Sequence, residues 1–448
     1  MACSLCIGTV LPILRRMRRL AVLLLLVFPH GASRGLEREA FEVYHQRRRA
    51  VSEAHPDGLI LLLGYERQEA QAVRSPFRQE NNFYYLTGWN EPGAALLLIP
   101  AQGDGSVYQE LLFLPPDDPS HEKWHGPRAA PDDADIRSQT GFESVLPISK
   151  LATRLSRAAK ERSHVYTLFP HRASEGKQPE PDRREKLQTH AGELPIADIR
   201  AQLEAMRAVK SEGEIRLIRK AVDASIAAHI EAWQEIEAGL YEYQILGPML
   251  AAMINGGCLR PAYAPIIGSG PNSTALHYTA GRRRLEPGEV VVMDVGGEYA
   301  HYAADLTRTV PVDGVFTERQ REIYDLVLYV QRKVIAAVKP GETLRGLTHK
   351  AKRYFDEAGR DAAGEAMGAS FLHGVGHSVG LGVHDPIDFS QPLKAGMVIT
   401  IEPGLYLPEE DLGVRIEDMV LVTENGAQLL SKGLPKEADE IEKLMRGR

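Results

Sequence analysis

Two ten-residue stretches of this chain are versions of one another. Leu285-Glu-Pro-Gly-Glu-Val-Val-Val-Met-Asp294 and Leu393-Lys-Ala-Gly-Met-Val-Ile-Thr-Ile-Glu402 align one to one at the leucine, glycine, valine and acid positions. Each reads as a tight turn entering a buried strand, because a glycine sits ahead of an apolar run. Each strand ends in a carboxylate, and helical sequence precedes each. Duplicated halves of this kind place two equivalent acids across a pseudo-twofold axis. A carboxylate at the end of a buried strand is costly unless it is paired or holds a metal. The repeat therefore constrains chemistry as well as fold.

The residues after each strand extend the pattern. Gly296 and Gly297 permit a turn, and a second run then carries Asp305 in Ala303-Ala-Asp-Leu-Thr-Arg-Thr-Val310. A hairpin joining the two runs brings Asp294 and Asp305 to one spot. In the second half, Glu417 lies in Val414-Arg-Ile-Glu-Asp-Met-Val-Leu-Val422. Strand alternation puts Arg415 and Glu417 on one face, with Val414, Ile416 and Asp418 opposite. Between the acid segments sits His373-Gly-Val-Gly-His377-Ser-Val-Gly-Leu-Gly-Val-His384-Asp385, with three histidines and four glycines in the twelve residues 373–384. Glycine allows tight backbone, and imidazole supplies metal-ligating or proton-transferring nitrogens. Asp294, Asp305, Glu402 and Glu417, if clustered, raise one another's pKa. Two divalent cations cancel their charge. Carboxylates with one imidazole suit manganese, zinc, cobalt or iron in a dinuclear site.

The 448 residues divide into two parts behind a distinct leader. The first part, 36–193, mixes a helix at 38–54 with apolar runs at 59–63, 94–99 and 110–114 that read as strands. Residues 115–135 are a polar, proline-rich loop, and 174–184 are a second polar stretch near the boundary. The second part, 196–448, opens with a capping-box pattern at Ser211 and Glu214. The helix it starts has an apolar face of Ile215, Ile218, Val222 and Ile226, and Gly239 fits its stop. Ile323, Leu326, Val327, Val330 and Val334 repeat the helical period. Thr343 caps a further helix with Leu344, Leu347, Ala351 and Phe355 inward and Gly359 at its end.

Residues 1–33 are unlike the rest. Arg15, Arg16, Arg18 and Arg19 precede an apolar run from Leu20 to Phe28, followed by the small residues Gly31, Ala32 and Ser33. Basic, apolar, small is the layout of a signal peptide, and the run is too short to span a bilayer comfortably. Met17 is an alternative start that keeps the whole layout. The expected location is periplasmic or extracellular, without stable membrane insertion once the leader is removed; a mis-assigned start would leave the protein cytoplasmic. The formal charge of −7 becomes −11 when the leader, with four arginines and no acid, is removed. An acidic chain gives no support for nucleic-acid binding. Cys3 and Cys6 lie in the leader and read as incidental; Cys258 alone forms no internal disulfide.

The acid and histidine segments together resemble the "pita-bread" metallopeptidases, the group of methionine aminopeptidase, prolidase, aminopeptidase P and the metal-free creatinase, over residues 196–423. The resemblance implies an α+β pita-bread catalytic domain, with metal ligands at Asp294, Asp305, His377, Glu402 and Glu417. All five residue types are kept, which argues against creatinase-like chemistry. Phe77-Arg-Gln-Glu-Asn-Asn-Phe-Tyr-Tyr-Leu-Thr-Gly-Trp-Asn-Glu-Pro92 is similar to the α/β N-terminal domain of aminopeptidase P and related prolidases, and Trp124-His-Gly-Pro-Arg128 fits a loop of that domain. Methionine aminopeptidases lack it.

By resemblance, the expected activity is removal of an N-terminal residue from peptides with proline second, by a metal-bridged hydroxide attacking the Xaa-Pro carbonyl. Glu402 is a ligand that also moves a proton, and His384 touches the scissile carbonyl or oxyanion. His277 sits near the leaving amine, His373 lines the proline-side pocket, and Arg415 orients ligand carboxylates. Manganese is favoured, with cobalt or zinc as substitutes, and a homo-oligomer is the default. Trp124 either covers a neighbouring subunit's active site or anchors its own loop. His121, His125 and His171, and the acidic pairs Asp117–Asp118 and Asp132–Asp133, read as solvated. The proline link is a tertiary amide without an N–H, which excludes peptidases that need that donor. Two alternatives stand: a prolidase restricted to Xaa-Pro dipeptides, and a non-catalytic peptide-binding homologue.

Overall fold

The computed structural model describes residues 37–66, 76–103, 106–169, 184–360 and 364–447. The leader, its two cysteines, His171 and nearly all of the 174–184 stretch lie outside them. The first part is built on one six-stranded sheet, ordered β4-β3-β2-β1-β5-β6, from β1 (Gly58–Leu63), β2 (Ala95–Ile99), β3 (Gln109–Leu114), β4 (Ser144–Pro147), β5 (His164–Thr167) and β6 (Ile196–Asp198). The β1–β2 and β2–β3 pairs are antiparallel, and the rest are parallel. Leu59, Leu61, Ala95, Leu97, Leu111 and Phe113 pack with Leu151 and Leu155 on one face. Ile60, Leu62, Leu96, Leu98 and Leu112 point the other way and are equally buried. Burial on both faces is why these strands read as leucine runs without alternation.

The three strands read from sequence are present. Three details differ. The first helix begins at Phe41 rather than at residue 38. A short helix, Pro119–His125, stands within the expected loop. The sheet also takes its last strand from Ile196–Asp198, assigned from sequence to the start of the second part. A three-residue strand has too little pattern to reveal its partner.

In the second part, β7 (Arg260–Pro261), β10 (Gly297–Tyr299) and β11 (Tyr302–Ala303) form one small sheet, and β8 (Ile266–Ser269), β9 (Val290–Asp294) and β12 (Thr307–Pro311) another. Then β13 (Val398–Ile401), β16 (Asp418–Thr423) and β17 (Gly426–Leu429) form a third, and β14 (Gly404–Leu407) pairs with β15 (Leu412–Arg415). The duplicated segments are β9 and β13 with their leading turns. Each pairs antiparallel with the strand that follows its second acid: β9 with β12, behind Asp305, and β13 with β16, behind Glu417. A bridge between Thr307 and Glu417 joins the halves.

Helices pack on these sheets. The helix Glu212–Glu235 carries the expected capping box, both bonds formed. Its most buried stripe is Leu217, Ile218, Ala221, Val222, Ala224 and Ala228. Ile215 and Ile226 flank it as half-buried residues, since small alanines let the helix approach along their side. The helix ends at Glu235, and Gly239 occupies the following turn at φ 94°. The helix Leu344–Ala358 matches expectation at its Thr343 cap, its four buried residues and Gly359. Among the described residues no helix is long and apolar enough to cross a membrane.

Candidate active site

Asp294 ends β9, and its carboxylate is held from two sides. The Tyr263 hydroxyl donates to Oδ1 at 2.6 Å, and Arg415 Nη2 donates to Oδ2 at 2.7 Å. Asp305 lies two residues before β12 and places Oδ2 3.3 Å from His377 Nε2. The hairpin expected between these aspartates is longer than two strands, since β10 and β11 are inserted at its tip. Its base still pairs Asp294 with Thr307, which brings the acids together.

The second half supplies the other wall. Residues 375–379 run antiparallel to β13: Val379 N–H donates to Val398 O at 3.0 Å, Thr400 N–H to His377 O at 2.9 Å and Glu402 N–H to Val375 O at 2.9 Å. The approach is close enough at Gly376 that a Cβ there would lie 2.0 Å from the Thr400 carbonyl oxygen. This pairing sets His377 Nε2 3.5 Å from Glu402 Oε1. Glu417 accepts the Thr307 hydroxyl at 2.6 Å. Single ligand atoms of Asp305, His377 and Glu417 fall within 4.8 Å of one another.

Arg415 and Glu417 point into this site, and Asp418 points away, as alternation predicts. Arg415 Nε donates to Thr307 Oγ1 at 3.2 Å and Nη1 to the Tyr406 hydroxyl at 2.9 Å. Asp418 instead meets Arg308 at 2.8 Å and Lys436 at 2.7 Å on the far face.

The remaining histidines gather around the acids. The rings of His377 and His384 lie 4.2 Å apart at 88°. His373 Nε2 is 2.9 Å from the Tyr406 hydroxyl, and its Nδ1 is 3.9 Å from Glu402 Oε2. His277 is exposed. The loop carrying it is tied down by buried Glu242, which accepts from Ser269 N and Oγ, Asn272 Nδ2, the Tyr278 hydroxyl and Arg283 N at 2.8–3.1 Å.

Electrostatics show what the cluster lacks. Burial, together with the Asp294 charge, pushes Asp305 up to about 7 against the help of His377. Burial and the charges of Asp305, Glu402 and Asp294 push Glu417 well above the carboxylate range. Burial disfavours a charged His377, yet its bond to Asp305 and the charges of Glu402 and Asp305 outweigh that and raise it to about 9. Burial lowers His373. Buried carboxylates set this close together are stabilised in their charged form by a nearby cation. Oxygen donors with one imidazole are a set that divalent cations fit.

Asp294, Asp305, His377, Glu402, Glu417, Arg415, His373 and His384 come together here, whereas His277 stands exposed on its loop. Tyr263, Thr307, Tyr406 and Glu242 were missed. Thr307 was findable, since alternation puts it on the same side as Asp305. Nothing local marks the tyrosines, which arrive from separate segments.

Residues 216–424 match the model of metallopeptidase family M24, and residues 44–166 match that of the aminopeptidase P N-terminal domain. The Xaa-Pro aminopeptidase of Haemophilus influenzae is 35% identical over 440 residues, covering 92% of this chain and 98% of that one. Escherichia coli aminopeptidase P, solved with the inhibitor Pro-Leu, superposes with a TM-score of 0.81 at 30% identity, covering 92% of this chain and 99% of that chain. The zinc-substituted form of the same enzyme, solved with product, gives the same values. The chain therefore belongs to the aminopeptidase P branch of the M24 metallopeptidases, with a pita-bread catalytic domain and the N-terminal domain of that branch.

Proposed function

We propose that this protein removes the N-terminal residue from peptides with proline in second position, using two divalent cations. The observation that carries this reading is the convergence of Asp294, Asp305, Glu402 and Glu417 with His377 in one buried cluster, in a chain of this family. Asp294, Asp305, His377, Glu402 and Glu417 are the ligands. When bound, the ions would lower the pKa of a shared water and polarise the scissile carbonyl. Manganese is the preferred metal on the oxygen-rich donor set.

The chain's own groups do the rest. Glu402 is the most exposed of the four acids, with 16% of its side chain open, so it is the one placed to exchange a proton with substrate. His384, beside His377, donates to the scissile carbonyl oxygen. His277 faces the leaving amine, and His373, braced by Tyr406, lines the pocket for the proline ring. Arg415 holds Asp294 directly and Glu417 through Thr307, fixing the ligands before substrate arrives.

Residues 36–193, completed by the strand Ile196–Asp198, form the N-terminal domain, the chain after that strand forms the catalytic domain, and 1–33 is an export signal. The enzyme works as a homo-oligomer; Trp124, 80% exposed on its short helix, suits a contact with a second copy.

Chelated protein, assayed on Gly-Pro, Gly-Pro-Ala and Met-Ala-Ser before and after Mn²⁺, tests the reading. Metal-dependent glycine release from the tripeptide is expected. Cleavage of Gly-Pro alone makes the protein a prolidase, and cleavage of the methionyl peptide alone refutes proline specificity. No cleavage of any returns the weight to peptide binding.

A further inference from the structure

The segment between His377 and His384 is closed on itself by Asp385. Asp385 N–H donates to the Ser378 carbonyl at 2.8 Å, and its Oδ1 accepts from Gly382 N–H at 3.0 Å. His377 stands at one foot of this loop and His384 at the other. That is how two rings seven residues apart in sequence come within 4.2 Å. The loop is tight: a Cβ at Gly380 would sit 2.6 Å from Asp385 Oδ2.

The closure is held from outside the catalytic sheets. Asp385 is 4% exposed, and its two oxygens meet two buried cations. Arg207 Nη2 binds Oδ1, and Lys210 Nζ lies 3.3 Å from Oδ2 while donating to Ser378 Oγ at 3.1 Å. Arg207 comes from the helix Arg200–Ala208, which follows β6. Its Nη1 donates to Asn82 Oδ1 at 2.8 Å, in the helix Asn81–Thr87 of the first part. Arg78 donates to the Leu381 carbonyl, to Asn81 Oδ1 at 2.7 Å and to Glu298 at 2.6 Å. The 77–92 motif holds none of the candidate ligand or catalytic residues, yet several of its polar side chains converge on this loop.

We infer that Asn82, Arg207 and Asp385 form a positioning relay through which the N-terminal part sets the orientation of His384 against His377. The N-terminal part is then a working component of the active site of its own chain. The inference rests on the reading of His384 as the group at the scissile carbonyl. A neutral side chain at 385 removes the one carboxylate that meets both buried cations, and displacements near 1 Å at a reacting group cost on the order of 10²-fold in rate.

The test uses the full-length, Mn²⁺-loaded protein on Gly-Pro-Ala. Asp385→Asn is expected to lower kcat about 100-fold with KM within about threefold, and Asn82→Ala to lower kcat about tenfold. Neither effect persists in the His384→Ala background, because both act through that ring. Effects that add fully to His384→Ala, a loss of bound metal in place of a loss of kcat, or a wild-type kcat in Asn82→Ala overturns the relay. Asn82→Ala leaves the Arg207–Asp385 pair intact, so it carries the test if Asp385→Asn fails to fold. Amide exchange of residues 378–385 is read on the same Asn82→Ala protein and is expected to rise about tenfold. Unchanged exchange overturns the relay whatever the substrate. A wild-type protein inactive on every Xaa-Pro peptide refutes the proposed function instead, and the exchange measurement still decides the relay.

Discussion

Arg415 donates to Asp294 at 2.7 Å across 121 residues of sequence, and it is the cation that braces the carboxylates from behind. Through Thr307 it also reaches Glu417. Buried as it is, its charge is retained, because Tyr406 and Asp294 stabilise the ion against the cost of burial.

Arg415→Ala is therefore expected to lower metal affinity and turnover by about 10- to 100-fold, the usual range for groups that orient ligands. Arg415→Lys recovers only part of this, since one ammonium cannot serve Asp294, Tyr406 and Thr307 together. Calorimetric titration of chelated protein with Mn²⁺ checks the affinity, and an unchanged titration would show that Arg415 does not orient ligands.

Removing a carboxylate from the cluster separates binding from folding. Asp294→Ala and Glu402→Ala are expected to abolish turnover while the far-ultraviolet circular dichroism stays that of the wild type. Ligand binding to the folded state alone stabilises it by about 2.7 kcal/mol at 100 times Kd. Mn²⁺ should therefore raise the melting temperature of chelated wild type and do so much less for either variant. Substantial activity in either purified variant would sink the ligand assignment.

His229 lies behind β9, with Nε2 3.1 Å from the Val295 carbonyl and no partner for Nδ1 among the described residues. Burial, with the charge of Arg308, lowers it to about 4. Because the folded value is below the unfolded one of about 6.5, the unfolded chain binds the proton first. Stability is full above pH 6.5 and is lost as pH falls toward 4, by about 3 kcal/mol from this residue. Urea midpoints of metal-free protein between pH 7 and 4 should fall in wild type and fall less in His229→Asn. Parallel curves would refute the assignment.

Asp418 adjoins the proposed ligand Glu417 but faces the other way. Burial alone would raise it, yet Arg308 and Lys436 hold it well below the carboxylate range. Arg308 also donates to the Glu417 carbonyl at 2.6 Å. Asp418→Ala strands these cations and is expected to cost about 3–5 kcal/mol of stability. Denaturant titration reads it; a loss under about 1 kcal/mol would show the pair to be dispensable.

Much of this was legible along the chain. The repeat at 285–294 and 393–402 predicted two strands ending in acids. Period-two alternation separated Glu417 from Asp418, and the Ser211–Glu214 and Thr343 signals placed two helix starts. These are local: a turn, a strand face or a cap is decided within a few residues, by backbone sterics and by which side chains can be buried. The site's brace was legible only in part: the resemblance named Arg415 and alternation could have named Thr307, but neither gave their partners. Tyr263, Thr307, Tyr406 and Arg415 meet only when separate strands pack. The His377–His384 loop takes its closure from Arg207, and Arg207 takes its partner from Asn82 in another sheet's helix. A buried charge accepts whatever counter-charge the fold brings within reach, and no spacing rule records which one that will be. Sequence alone determined which acids and histidines are available and which strand face Glu417 takes. Tertiary packing decided which groups hold them in place.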